Sequence, residues 1–257
     1  SADPANVVVG QPYVVTVRVV SELPSVGVPS GLVTISNGND SCQATVQPDG
    51  TASCEIVPTQ AAAQLLIATF AGDLNYTGSV STPQDGPTVD KADTVTGVTL
   101  SMNPLLEGES VHFNATVHAA APGNGTPTGQ VQFKLNGVNT GEPVDLVGGV
   151  AVSPSMNGLV AGVYTVSAEY LADANYNASA SASLTMQVLV GDLRVEIKPG
   201  EPGQIRYETI EDGVPVSVII DLPEGIVDQN TVLVFRRIHN SLLTPLAGMN
   251  FVMNFTL

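Results

Sequence analysis

The sequence predicts an all-β chain, with two tandem two-sheet sandwiches followed by a smaller and incomplete β domain. Three observations predict it. A motif late in the first hundred residues returns about one hundred positions later, apolar residues alternate with period two within each copy, and turn residues interrupt the chain too often for long helices.

The duplication sets the register. Residues 72–79 read GDLNYTGS and residues 171–179 read LADANYNAS. Residues 10–19, GQPYVVTVRV, align with residues 108–117, GESVHFNATV, at an offset of 98, which residues 29–35 and 127–133 (PSGLVTI and PTGQVQF) keep. The offset is 99 between Gly50 and Gly149 and 100 between Tyr76 and Tyr176, so only single-residue insertions separate the copies. Such insertions belong in turns, and a period of this length is that of a whole domain rather than a solenoid repeat. Domains are expected at 1–91, 92–190 and 191–257.

Within the copies, Tyr13, Val15, Val17 and Val19 alternate with Val14, Thr16 and Arg18, and Val111, Phe113, Ala115 and Val117 alternate with His112, Asn114 and Thr116. That is the pattern of a half-buried strand. Further strands are expected at 32–35, 42–46, 52–57 and 65–70, divided by the turn clusters NGND at 37–40 and PDG at 48–50. Several strands at this spacing predict a sandwich, and 25 Gly with 18 Pro argue against long helices. The first strand of copy one is expected to be missing, whereas copy two has one at 93–101. The final residues, FVMNFTL at 251–257, read as a strand cut short or one meant for a partner, and an incomplete third sheet would leave an open edge. Without a starting Met or a signal peptide, Ser1 reads as a mature or trimmed end.

Composition excludes several functions. Eight Lys plus Arg against 24 Asp plus Glu, a formal net charge of −16, argues against a nucleic-acid role, because phosphate contacts need clustered cations. No apolar run is long enough to span a membrane as a helix. Sparse charge with abundant Val, Thr, Ser, Gly and Ala is the composition of secreted β-rich modules.

Cys42 and Cys54 flank the PDG turn. If that turn closes a hairpin whose paired residue numbers sum to 96, Ala44 faces Ala52, Val46 faces Gly50, and the two sulfurs face each other as a disulfide. Closing so short a loop is worth about 3 kcal/mol and implies an oxidising compartment. Ser153 stands where Cys54 would fall in copy two. Asn-X-Ser/Thr triplets at Asn39, Asn75, Asn114, Asn124, Asn177 and Asn254 are expected glycosylation positions where the cell has the machinery.

No cofactor is expected. Asp73 with Asn75, and Asp173 with Asn175, are weak calcium candidates, because oxygen ligands two residues apart in a loop can begin a calcium site; six or more oxygens are needed, and the acidic EF-hand loop is absent. Asp85, Asp90, Asp93 and Glu107 near the junction of the copies form a weaker cluster. The stronger reading of the repeated motif has each Asp and Asn closing the last hairpin through side-chain to backbone bonds, while Tyr76 or Tyr176 packs across the sandwich end. His112 and His118 lie too far apart to chelate one ion, His239 follows Arg236 and Arg237, and Lys134 and Lys198 fall on the outward parity, where an isopeptide bond would not be buried. No catalytic motif is present: there is no Gly-x-Ser-x-Gly elbow, no His-Glu-x-x-His and no phosphate-binding glycine loop.

With these residues in place, the two copies resemble bacterial immunoglobulin-like domains of the kind found in repeat arrays on surface proteins, over about residues 1–190. The resemblance is carried by VGQP at 9–12, PSGLVTI at 29–35, Cys42, Cys54 and the run 68–79, with counterparts at 107–110, 127–133 and 168–179. Residues 214–235 resemble part of the β module shared by ankyrins and netrin receptors, where a strand runs into a Pro-x-Gly turn. The resemblance implies a non-enzymatic extracellular or cell-surface structural protein, a piece of a stalk, surface layer or filament. Its partners would be other copies of itself, by strand pairing between subunits, or other cell-surface proteins. The alternatives are an adhesin or ligand-binding module, against which the lack of tryptophan argues for sugars, and an accessory region of a larger secreted enzyme.

Overall fold

The computed structural model describes residues 2–3, 6–190, 193–199, 203–211, 214–222 and 231–235, with side chains for 6–190 and 198–199. Every regular element among them is a β-strand. No helix among the described residues is long and apolar enough to cross a membrane.

The first sandwich faces a three-stranded sheet with a larger one. The small sheet runs in the order Ala2–Asp3, Tyr13–Arg18, Thr51–Ile56. The other runs Asn6–Val8, Gln84–Asp90, Ala63–Phe70, Leu32–Ser36, Ser41–Thr45, with Ser79–Val80 added beside Ala63–Phe70. Period-two patterning puts Tyr13 and Val15 of one sheet, and Val33, Ile35, Leu66 and Phe70 of the other, into one buried core.

The first copy does have a first strand, though a short one. Ala2 pairs with Val15 and Asp3 with Val14, antiparallel. In copy two the same place is filled by the seven-residue strand Thr94–Leu100. Gln84–Asp90 is a strand that the apolar pattern does not announce, because Gly86 and Pro87 interrupt it; its pairing with Ala63–Phe70 shifts register between Ala63 and Leu65, and Val89 still reaches the core.

Cys42 and Cys54 are joined by a disulfide, with Cα atoms 5.9 Å apart. The reason differs from the hairpin expected. Ser41–Thr45 pairs with Leu32–Ser36, Cys42 opposite Ile35, while Thr51–Ile56 pairs with Tyr13–Arg18, Cys54 opposite Val15. The turn at 47–51 therefore carries the chain from one sheet to the other, which lets Val46 and Ala52 both enter the core, and the disulfide staples the two sheets at their edge.

The second repeat has the same plan. One sheet runs Thr94–Leu100, Phe113–Ala119, Val150–Val152, and the other runs Leu105–Leu106, Leu184–Leu189, Gly162–Tyr170, Gln130–Leu135, Val138–Asn139, with Val144–Asp145 and Ser179–Ala180 as side pairings. Val111, Phe113, Ala115 and Val117 are buried, as the alternation requires, and the Phe113 and Phe133 rings meet at 6.1 Å between centroids. Ser153 replaces the bridge locally: its Oγ accepts the Phe113 N–H at 2.9 Å.

In the smaller C-terminal part, Leu193–Ile197 pairs antiparallel with Thr231–Phe235, and Gly203–Glu211 with Val214–Leu222. The Pro-x-Gly turn after Leu222, His239, Asn254 and the run 251–257 lie outside the described residues. By compactness the chain divides into two units. One holds residues 1–99, 113–153 and 166–184; the other holds 100–112, 154–165 and 185–257. The first sandwich and the loops at 120–126 and 171–178 belong to the same unit.

Candidate functional site

The repeated motif forms a tight loop in each copy, and its aspartate is the organiser. Asp73 Oδ1 accepts the N–H groups of Asn75 and Tyr76, both at 2.8 Å, and Oδ2 accepts the Ser30 N–H at 2.7 Å and the Ser30 hydroxyl at 2.9 Å. Asp173 repeats this with Asn175, Tyr176 and Thr128. A short acceptor that satisfies its own turn and a neighbouring loop fixes both at once. Hydrogen bonds from the Ser30 and Asn75 backbone hold the Asp73 carboxyl down at about 2. Burial pushes the Asp173 carboxyl up, but the bonds from Thr128, Asn175 and Tyr176 outweigh it and the net shift is downward.

The tyrosine ties a second loop to the first. The Tyr76 hydroxyl donates to the Val26 carbonyl at 2.9 Å and the Tyr176 hydroxyl to the Asn124 carbonyl at 3.0 Å. Each pair of loops thus forms one end of its sandwich. Both carboxylate oxygens of Asp73 and of Asp173 are occupied as turn acceptors, and no group of three or more His, Cys, Asp or Glu among the described residues is placed to hold a metal. Asn75 contributes its backbone N–H to the turn.

In copy two this end is docked against the base of the first sandwich. The Asn175 side-chain oxygen accepts the Ala61 N–H at 3.0 Å. The connecting segment adds three bonds: Ala92 N–H to the Asn175 carbonyl at 3.0 Å, Asn177 N–H to the Ala92 carbonyl at 2.9 Å, and Lys91 Nζ to the Asp173 carbonyl at 2.5 Å. Asn124 N–H reaches the Val9 carbonyl at 3.2 Å. Further on, Asn177 Nδ2 donates to Asp93 Oδ1 at 2.8 Å, and Thr94 and Thr96 meet the Ser179 hydroxyl at 2.7 Å each.

Two glycines permit the close approach. A Cβ on Gly123 would stand 2.5 Å from the Ala92 Cβ, and one on Gly10, whose φ is +78°, would stand 2.3 Å from the Asn124 carbonyl oxygen. The sequence places the connection near 90–93 correctly. It gives no sign that Ala61 and Val9 are the receiving groups, because their partners lie more than a hundred residues away.

The remaining candidates are dispersed. Asn39, Asn75, Asn124 and Asn177 are exposed and Asn114 is half-buried on the outer face of its strand; Asn39 donates to Gln60 Oε1, and Asn177 is engaged with Asp93. Lys134 forms an ion pair with Glu169 across neighbouring strands at 2.5 Å, with both side chains partly exposed. His118 is exposed and His112 half-buried.

A family profile described as "Bacterial Ig-like domain (group 3)" matches residues 1–89 and again 98–189. No curated protein matches the chain. Among solved structures, the chain is similar in fold to invasin, a bacterial integrin-binding protein, at 12% identity and a TM-score of 0.52, over 91% of this chain and 55% of that one. It also aligns with the fibronectin(III)-like modules of Clostridium thermocellum CbhA (16% identity, TM-score 0.28, 74% of this chain and 93% of that one). A third is the ectodomain of mouse nectin-like molecule 4 (13% identity, TM-score 0.31, 73% and 63%). The chain thus spans about half of the invasin structure. Two profile matches, laid over two sandwiches of one plan, cover most of the sequence, and the chain belongs to the bacterial Ig-like domain family, group 3.

Proposed function

We propose that this chain is a non-enzymatic structural segment of an extracellular or cell-surface protein, in which Ig-like sandwiches are set end to end as a stalk. The observation that carries the reading is the docking of the 171–178 loop on the first sandwich. Asn175 and Asn124 make directed bonds to it, Ala92 of the connecting segment bonds to Asn175 and Asn177 of the loop, and Gly123 and Gly10 let the surfaces close. A connection that spends its polar groups on fixing one orientation transmits force and holds height, whereas a flexible linker leaves its backbone to water. The Cys42–Cys54 disulfide fits an oxidising compartment, and the net charge of −16 suits an exposed, soluble surface.

The test is replacement in the intact surface protein. Exchanging residues 1–190 for a Gly/Ser-rich linker of equal residue count should turn the uniform height of the projecting layer in electron micrographs into a broad distribution, and exchanging them for two unrelated rigid sandwiches should restore the uniform height. An equally uniform height with the flexible linker would overturn the reading.

A further inference from the structure

Asn-Gly pairs occur at 37–38, 124–125, 136–137 and 157–158. In such a pair no side chain on the glycine shields its backbone nitrogen from the asparagine side chain, so the two react if the backbone turns far enough to bring them into contact. Three of the pairs are held against that rotation. Asn37 Oδ1 accepts the N–H groups of Asn39 and Asp40 at 3.0 and 2.7 Å, and the Gly38 N–H donates to Ser36 Oγ at 3.0 Å. Asn124 is fixed at both backbone groups, its N–H on the Val9 carbonyl and its carbonyl under the Tyr176 hydroxyl, while the Gly125 N–H donates to Asn124 Oδ1. Asn136 and Gly137, with φ of +52° and +78°, are the central residues of a tight hairpin closed by the pairing of Leu135 with Val138. The fourth pair has no such restraint. The loop between Val150–Val152 and Gly162–Tyr170 is anchored where Met156 and Val111 exchange backbone bonds and where the Ala161 N–H donates to Glu107 Oε1 at 2.6 Å. Between those anchors Asn157 and Gly158 are exposed, and among the described residues neither the Asn157 side chain nor the Gly158 N–H makes a hydrogen bond. A Cβ on Gly158 would meet nothing within 4 Å, so there is room for a ring to close and for water to reach it.

We infer that Asn157 is a site of spontaneous deamidation and backbone rearrangement, with water as the only co-reactant. The Gly158 nitrogen attacks the Asn157 Cγ, the bond from Cγ to the side-chain nitrogen breaks, and that nitrogen leaves as ammonia with the proton the backbone nitrogen has lost. The product is a five-membered succinimide in which the Gly158 nitrogen is bonded to both carbonyl carbons. Water then opens the ring. Cleavage of the bond to Cγ leaves an aspartyl residue, whereas cleavage of the bond to the backbone carbonyl carbon leaves an isoaspartyl residue whose chain path runs through Cγ and is one methylene longer. Nothing is oxidised or reduced, and either product adds one negative charge to the exposed tip of the loop. The local sequence offers the same reaction at all four pairs, and the fold leaves it open at one.

The experiment incubates the whole chain in buffers of increasing pH and follows the replacement of ammonia by water at the four pairs, using peptide mapping by mass spectrometry. Conversion at Asn157 should run at least roughly tenfold faster than at Asn37, Asn124 or Asn136, the scale on which one or two hydrogen bonds restrain local opening. It should speed up with pH, since the deprotonated nitrogen is the nucleophile, and should yield both aspartyl and isoaspartyl peptides. In the same chain unfolded in urea the four rates should come close to one another, and Asn157→Gln should remove the fast conversion while leaving the other three pairs as they were. Comparable rates at all four pairs in the folded chain would overturn the proposal, because the loop would then be no freer than the others. An equal preference for Asn157 in the unfolded chain would overturn it too, since local sequence rather than the fold would make the choice. Aspartyl product without any isoaspartyl form would mean direct hydrolysis and would overturn the cyclic route.

Discussion

The side-chain oxygen of Asn175 accepts the backbone N–H of Ala61 across 3.0 Å and a separation of 114 residues, tying the motif loop of the second repeat to the base of the first. The same asparagine in the first repeat, Asn75, is exposed. One residue type in one local turn thus acts as a joint in one copy and is exposed in the other.

Asn175→Ala removes the acceptor and leaves the Ala61 N–H unpaired at a part-buried site. The loss should weaken docking by about 1–2 kcal/mol, seen as faster amide exchange at Ala61, Ala92 and Asn177. Asn75→Ala should change nothing at those positions. Equal effects of the two substitutions would contradict the assignment.

Gly123→Ala places a methyl group 2.5 Å from the Ala92 Cβ. Overpacking of this kind costs about 1–3 kcal/mol. The penalty should appear as loosened docking, with the strands of both sandwiches still protected from exchange, whereas Ser25→Gly at the equivalent place should be silent. A Gly123→Ala protein with unaltered exchange at Ala92 would show that the connection has slack that the geometry does not grant.

Breaking the Cys42–Cys54 bridge, by reduction or by changing both residues to Ser, should lower the stability of the first sandwich by about 2–4 kcal/mol. The second sandwich, where Ser153 bonds to Phe113 instead, should keep its own transition. Calorimetry in the presence and absence of reductant separates the two. A joint shift of both transitions by the same amount would mean that the bridge stabilises more than one sheet pair.

Acid should open the motif loops. The Asp73 carboxyl is held at about 2 in the folded chain, below its ordinary value of about 3.9 unfolded. A depressed folded value stabilises the fold fully above the unfolded one, and the contribution is lost as pH falls from about 4 towards about 2. Asp73→Asn should flatten that part of the stability profile of the first sandwich, measured by tryptophan-independent circular dichroism in denaturant. An unchanged acid limb would contradict the role of Asp73 as the charged acceptor for Ser30, Asn75 and Tyr76.

Much of the fold is legible in the sequence, because sandwich strands announce themselves by alternation: Tyr13 with Val15, and Phe113 with Ala115, face inward as their parity requires. What misleads is turn chemistry. Pro48-Asp49-Gly50 reads as a hairpin, yet whether such a turn joins partners in one sheet or crosses to the facing sheet depends on both flanking strands having other neighbours, here Leu32–Ser36 and Tyr13–Arg18. Gln84–Asp90 is hidden for the opposite reason, since Gly86 and Pro87 break the period while the neighbouring strands still hold the backbone. Asn175 is visible as a repeated polar residue, but its partner is set by which end of one module meets the next, and no local pattern encodes that.

The central claim is that the two Ig-like sandwiches are locked together by the Asn175, Ala92 and Asn124 contacts. Backbone ¹⁵N relaxation tests it most directly, since strand residues of the two sandwiches must report one shared rotational diffusion tensor if the joint is rigid, and should separate into two in Gly123→Ala combined with Asn175→Ala. Independent tumbling of the two sandwiches in the unaltered chain would contradict the account.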